Sequence, residues 1–115
     1  MVATISKILF FISIIAIEYL ATTSNDVPLV RSDLDKANHL FAFFTLYILL
    51  SFGFKDLKLY IKMILLMIFG VQIEIVQSFL PNREFSYVDI LADFIGMFIG
   101  IVIYKGMSYI TKSVR

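Results

Sequence analysis

Four long apolar stretches follow one another along the chain, separated by short polar connections. They cover about residues 5–21, 37–54, 59–80 and 88–104. A transmembrane helix needs roughly 20 mostly apolar residues, so each stretch suits one crossing of a bilayer. Lipid offers no hydrogen-bonding partner to the backbone, and the crossings must therefore be helical. The sequence predicts an all-α, polytopic membrane protein with four transmembrane helices in a single domain over residues 1–115.

Composition excludes the main alternatives. Of the 115 residues, 60% are hydrophobic and 17% are charged, whereas soluble domains are about one quarter charged. So short a chain cannot enclose that much apolar surface in water. Disorder, a nucleic-acid-binding domain and an ordinary soluble enzyme are therefore excluded. The chain has no cysteine, so it can form neither a disulfide nor a cysteine–metal site.

The basic residues predict the orientation, because cytoplasmic loops carry an excess of Lys and Arg. With the amino terminus inside, the cytoplasmic side holds Lys7, Lys55, Lys58, Lys62, Lys105, Lys112 and Arg115, and the outer side holds Arg31, Lys36 and Arg83. Both termini are therefore expected in the cytoplasm. We expect Lys55, Lys58 and Lys62 to set this topology and to do nothing else.

The first stretch has a second interpretation. A short amino-terminal segment with one Lys, an apolar run and then Ala21-Thr22-Thr23-Ser24 also describes a secretory signal peptide. Glu18 and Tyr19, however, stand where a cleavage site would need small neutral residues. We therefore expect this stretch to be a retained helix.

The polar and ionisable residues of the spans gather near their outer ends, while the inner halves are expected to be almost wholly apolar. Such residues in a membrane protein face a polar interior, pair with one another and mark functional sites. Beside Glu18, near the outer end of the first span, the sequence predicts an outer-leaflet polar site formed by Asp35, Lys36, His39, Glu74, Gln77, Arg83, Ser86, Asp89 and Asp93.

Helical spacing places several of these residues on common faces. Asp89, Asp93, Gly96 and Gly100 are separated by 4, 3 and 4 residues, which stacks them in one stripe of the fourth helix. The lower part of the stripe is Gly-x-x-x-Gly, a pattern that lets another helix approach closely. We expect Gly96 and Gly100 to pack against a neighbouring helix and the two carboxylates to face the same interior.

Simpler roles exist for some of these side chains. Ser32-x-x-Asp35 and Ser86-x-x-Asp89 both fit a variant of the capping box, in which the carboxylate only satisfies backbone donors at a helix start. A lone His39 is more often a structural hydrogen-bonding group than a ligand or a base. A single histidine also makes zinc a poor candidate, and neither a metal nor another cofactor is expected.

Two motifs resemble the signatures of the VanZ-like family of bacterial membrane proteins. They are Asp35-Lys36-x-x-His39-x-x-x-Phe43-x-x-Leu46 and Glu74-x-x-Gln77-x-Phe79-x-Pro81-x-Arg83-x-x-Ser86-x-x-Asp89-x-x-x-Asp93-x-x-Gly96-x-x-x-Gly100. They occur in the family's order and cover more than half of the chain. One position departs from the pattern, because the family usually has Asn where this chain has Asp93.

The resemblance implies a small multi-pass protein of the bacterial cytoplasmic (inner) membrane. The family is named after an accessory protein of glycopeptide-resistance clusters that is associated with reduced susceptibility to teicoplanin. The resemblance thus implies the lipid bilayer as a partner, with a lipid-linked envelope precursor or a glycopeptide as candidate ligands and no nucleic acid. It gives no oligomeric state.

Three functions fit these residues best, and a small transporter or flippase fits less well because the apolar inner half offers no polar path across the bilayer. The favoured one is recognition of a lipid or cell-wall head group at the outer leaflet, with Arg83 and Lys36 contacting its anionic part. The second is a membrane-embedded enzyme in which His39 with Asp35 or Glu74 forms an acid–base pair and Arg83 stabilises an anion. The third is a non-catalytic structural subunit whose polar residues only lock the helices together. The first hypothesis makes the protein a binding protein rather than an enzyme.

Overall fold

The computed structural model describes residues 1–22, 32–80 and 87–113, including all of their side chains except those of residues 32–36, 112 and 113. These residues form four α-helices, α1 (Val2–Ala21), α2 (Ser32–Gly53), α3 (Leu59–Ser78) and α4 (Tyr87–Ser113). No strand occurs in the ranges that the structure describes. The prediction of an all-helical chain is confirmed to this extent.

The helix ends differ from the predicted spans, because those spans were drawn from apolar character alone. The first turn of α2 is polar and acidic, which suits a helix amino terminus. The end of α3 comes two residues before Leu80, whose position before Pro81 disfavours helical backbone. In contrast, α4 runs on past Tyr104 to Ser113, because charged residues end an apolar span without ending a helix.

Within the described ranges, α1, α3 and α4 are long and apolar enough to cross a membrane. The apolar part of α2 is the shorter segment Ala37–Gly53. It measures about 25 Å along the helix axis, compared with a hydrocarbon core of about 30 Å. By length and composition, three helices therefore qualify as membrane spans.

The core of the bundle surrounds α2, which packs most extensively against α4, then against α1, and also contacts α3. Phe43, Leu46 and Tyr47 of α2 are almost completely buried. In α1, by contrast, only Ser6 and Ala21 are buried, and its large apolar side chains face outward. This arrangement suits lipid, in which exposed apolar side chains carry no hydrophobic penalty.

The bundle buries polar side chains at both of its ends. The carboxyl ends of α1 and α3 lie beside the amino ends of α2 and α4, and this end carries Glu18, His39, Glu74, Asp89 and Asp93. We call it the acidic end. The opposite end carries Lys7, Ser51, Lys62 and Tyr104, and we call it the lysine end.

Candidate functional site

His39 lies at the centre of the acidic end, between three carboxylates. Its Nδ1 is 2.6 Å from Asp93 Oδ1, and its Nε2 is 3.5 Å from Glu74 Oε1 and 3.9 Å from Asp89 Oδ2. Glu74 and Asp93 are completely buried, and His39 and Asp89 are nearly so. Three helices thus bring four of the predicted site residues into one buried cluster.

Helix geometry explains how these side chains meet. Asp89 and Asp93 lie one turn apart on the same face of α4. His39 is in the second turn of α2, and Glu74 is in the last turns of α3. Since α4 and α3 both pack on α2, side chains at these heights converge on the imidazole.

Close helix packing holds α4 against α2 beside the cluster. A Cβ added to Gly96 would collide with the carbonyl oxygen of Leu40, and one added to Gly100 would lie 3.1 Å from the Cβ of Tyr47. The two glycines named from the Gly-x-x-x-Gly pattern therefore lie where the α4 backbone approaches α2. Any larger residue at 96 would push the α4 carboxylates away from His39.

A further glycine makes room for Asp93. A Cβ added to Gly70 of α3 would lie 2.6 Å from Asp93 Oδ2 and 3.2 Å from Cζ of Phe43. Sequence reasoning missed Gly70, because its neighbours lie on two other helices and no local motif marks it.

The hydrogen bond to Asp93 fixes the role of each imidazole nitrogen. When Asp93 is ionised, its carboxylate only accepts hydrogen bonds, and Nδ1 of His39 then carries the hydrogen and donates it to Asp93. The ring of Phe43 is parallel to the imidazole within 3°, with 6.5 Å between the ring centroids. Nε2 is consequently held facing Glu74 and Asp89, where it can accept a proton, donate one or bind a cation.

The other predicted site residues lie apart from this cluster or outside the described part of the chain. Gln77 donates from Nε2 to the carbonyl oxygen of Ala21 at 3.1 Å, which joins α3 to the end of α1. The backbone of Asp35 and Lys36 belongs to the start of α2, but their side chains are not among those that the structure describes. Arg83 is outside the described residues entirely, as is Ser86, the residue that immediately precedes α4.

Glu18 has a partner that the sequence did not reveal. Gln72 Nε2 donates to Glu18 Oε1 at 2.6 Å, linking α3 to α1 at the acidic end. Gln72 lies inside an apolar run of α3, and that isolated polar position is the signal that could have identified it.

The expectation that the opposite half of the bundle is apolar is wrong at Lys62. Its side chain is only 6% exposed, its Nζ donates to Ser51 Oγ at 2.9 Å, and it lies 5.2 Å and 5.1 Å from the ring centroids of Tyr47 and Tyr104. Lys62 therefore has a structural role inside the bundle beyond any effect on topology. Ser51, a hydroxyl within an apolar run, is the sequence signal for it.

A cavity of about 340 Å³ borders the acidic end. Its walls are mainly apolar and come from α1, α2 and α3, including Ile17, Phe41 and Ile73, while His39 and Gln77 supply polar groups. The volume is within the usual range for small-molecule sites. Because His39 lines this cavity and also binds Asp93, the cavity and the acidic cluster are adjoining parts of one region.

The fold and this region define a class: a helical membrane protein with a buried histidine–carboxylate cluster beside an apolar cavity. The family model described as VanZ/LLP1 matches residues 2–110. The chain therefore belongs to the VanZ/LLP1 family, which confirms the resemblance seen in its motifs. No curated protein and no solved structure matches the chain significantly.

Proposed function

We propose that this protein binds an amphipathic cell-envelope molecule, with the polar head at the acidic end and the acyl portion in the adjoining cavity. The observation that carries the proposal is the position of His39, which lines the apolar cavity and belongs to the carboxylate cluster. A ligand that used both environments would need an apolar tail and a polar head. Membrane lipids, lipid-linked wall precursors and lipid-tailed glycopeptides share that chemistry.

The polar head has complementary partners in the sequence. Buried carboxylates accept hydrogen bonds from the hydroxyl groups of a sugar or the amines of a peptide. An anionic head needs cations, and we assign that contact to Arg83 and Lys36. The planar guanidinium of Arg83 suits phosphate or carboxylate, and Lys36 adds a point charge.

The membrane arrangement is part of the proposal. We place four crossings in the cytoplasmic (inner) membrane of a bacterium, with residues 1–115 as one domain, both termini in the cytoplasm and the acidic end outward. The chain has no native cysteine, so single cysteines test this cleanly. An impermeant thiol reagent should label Tyr87→Cys in intact cells and Tyr109→Cys only after permeabilisation. The reverse pattern would contradict the orientation.

Single tryptophans can test the proposed ligand, because the native chain contains none. Phe41→Trp places the reporter at the outer edge of the cavity, and Phe98→Trp places it on α4 away from the cavity; the two positions are matched because both are largely exposed, at 68% and 62%. The purified variants would be reconstituted with phosphatidylcholine or phosphatidylglycerol carrying brominated acyl chains, which quench tryptophan on contact. We expect quenching at position 41 to favour one head group and quenching at 98 to be unselective.

Adding Arg83→Gln to Phe41→Trp then tests the assigned cation. The head-group preference should disappear while quenching itself remains, because the apolar cavity is unchanged. Equal quenching by both lipids at position 41 in the parent variant would contradict phospholipid recognition. A lipid-linked precursor and teicoplanin, added in competition, would identify the other two ligand classes by displacement of the brominated lipid.

A membrane-embedded acid–base enzyme is the second candidate, and the 2.6 Å contact between His39 Nδ1 and Asp93 favours it. A carboxylate that orients an imidazole whose other nitrogen is directed toward the site is a common arrangement for a general base. Lipid extracts of cells with and without the protein would distinguish the two functions. An enzyme would change a lipid-linked product and lose that effect in His39→Gln, whereas a binding protein would change none.

A further inference from the structure

We propose that His39, Glu74 and Asp89 form a binding site for a divalent transition-metal ion at the acidic end. The three residues come from three helices, and each offers one ligand atom within 4.8 Å of the others. All three are buried. The site needs no lipid ligand, so it stands apart from the function proposed above.

The distances suit coordination better than hydrogen bonding. Nε2 of His39 is 3.5 Å from Glu74 Oε1 and 3.9 Å from Asp89 Oδ2. Both exceed the 2.7–3.2 Å of ordinary hydrogen bonds, for which about 2.9 Å is typical. Two ligand atoms bound to one tetrahedral ion at about 2.1 Å are about 3.4 Å apart. Small side-chain movements would bring these donors to coordination distance.

Asp93 supplies the support that a metal-binding histidine usually has. A ligating imidazole almost always donates its other N–H to a carboxylate or a carbonyl, which fixes the ring and its tautomer. Here Nδ1 lies 2.6 Å from Asp93 Oδ1, and with Asp93 ionised Nδ1 donates to it, which leaves the lone pair of a neutral ring on Nε2, directed toward Glu74 and Asp89. Asp93 is thus a positioning residue.

The donor set selects the kind of ion. One imidazole nitrogen with two carboxylate oxygens suits zinc, manganese and iron, while Mg²⁺ and Ca²⁺ prefer oxygen ligands alone. Three protein ligands also leave positions for water or an oxygen of a bound head group.

The test is direct metal binding by the purified full-length chain in detergent after removal of metals with a chelator. Titration with Zn²⁺ and Mn²⁺ should give one ion per chain, and Mg²⁺ at the same concentration should not compete. We expect His39→Gln, Glu74→Gln and Asp89→Asn each to weaken binding at least about 100-fold, because each removes a ligand. Asp93→Asn should weaken it by about 10- to 100-fold, which is usual for an outer-shell partner.

Glu18→Gln is the matched control, because Glu18 is a carboxylate of the same end that binds Gln72 instead of His39. It should retain wild-type affinity. Failure of the wild type to bind either ion, or an equal loss in Glu18→Gln, would overturn the proposal. The lipid-selectivity experiment, repeated in chelator, keeps the two proposals separate. If the protein discriminates between the two lipids in chelator but binds neither Zn²⁺ nor Mn²⁺ in the titration, only the metal site is refuted.

Discussion

The two ends of this bundle bury polar groups in opposite ways. At the lysine end, one ammonium group is enclosed by groups that suit it, because Lys62 donates to Ser51 and lies over the rings of Tyr47 and Tyr104. At the acidic end, three carboxylates surround a single imidazole. Among the described residues, His39 is therefore shared by three acidic side chains.

This difference separates a structural polar cluster from one that suits a ligand. The lysine end provides a hydrogen-bond acceptor and two aromatic faces for its buried cation, which is how a cation is stabilised away from water. The acidic end brings three carboxylates together in the described part of the chain, borders a cavity and offers ligand atoms at spacings that suit a metal ion. Active and binding sites often carry such locally unfavourable charge.

The largest effect on stability is expected at the contact between α2 and α4, because this helix pair carries side chains of both the acidic end and the lysine end. Gly96→Ala would drive a methyl group into the carbonyl of Leu40, whereas Gly106 has open space around it. We expect Gly96→Ala to lower the free energy of unfolding by about 3 kcal/mol and to reduce membrane abundance, and Gly106→Ala to have little effect. Thermal unfolding in detergent measures this, and equal stability of the two variants would contradict the close α2–α4 contact.

The next effect concerns the lysine end alone. Lys62→Ala removes the buried stem, the hydrogen bond to Ser51 and the contacts with both tyrosine rings, so we expect a loss of about 2 kcal/mol. The exposed Lys58 is the control, and Lys58→Ala should change stability by less than about 0.5 kcal/mol. Zinc affinity at the acidic end should not change in either variant. A large loss of metal binding in Lys62→Ala would show that the two ends are coupled.

The smallest effect on stability is expected at the acidic end. There we expect a gain in stability, whereas the two changes above should each cause a loss. In chelator, Glu74→Gln should raise the free energy of unfolding by about 1 kcal/mol, because it removes one of the three carboxylates that the described part of the chain places around His39 and keeps the side-chain shape. Saturating Zn²⁺ should reverse the order, because the wild type alone would gain stability from the ion. Destabilisation of Glu74→Gln in chelator would indicate that the acidic cluster is structural, like the lysine end.

Regular features of this structure were predictable from the sequence. Apolar length predicts the helices, and the spacing of Asp89, Asp93, Gly96 and Gly100 predicts one face of α4, which lies against α2 in the structure. Glu74 was identifiable as a site residue because a carboxylate inside an apolar run caps no helix start. These inferences depend on the spacing of residues within one helix, and that spacing can be read directly from a single sequence.

Contacts between helices were not predictable in the same way. Lys62 near the start of α3 looks like a residue that extends to the membrane surface, and only the packing of α2 and α4 shows that it is enclosed. Gly70 and Gln72 matter through Asp93 and Glu18, which are distant in sequence. The central position of α2, whose apolar segment Ala37–Gly53 is shorter than the candidate spans in the other helices, also depends on its neighbours rather than on its own residues.

The most direct test of the central claim, that the acidic end acts on a ligand and the lysine end supports the fold, is antibiotic susceptibility at matched membrane abundance. A teicoplanin-susceptible host would express the wild type, His39→Gln, Arg83→Gln or Lys62→Ala, and the inhibitory concentrations of teicoplanin and vancomycin would be recorded side by side. We predict that the wild type raises only the teicoplanin value, that Arg83→Gln abolishes the rise, and that Lys62→Ala retains it once abundance is matched. If Arg83→Gln and His39→Gln both retain the full rise, or if the wild type produces none, the assignment of teicoplanin-related ligand recognition to the acidic end is wrong.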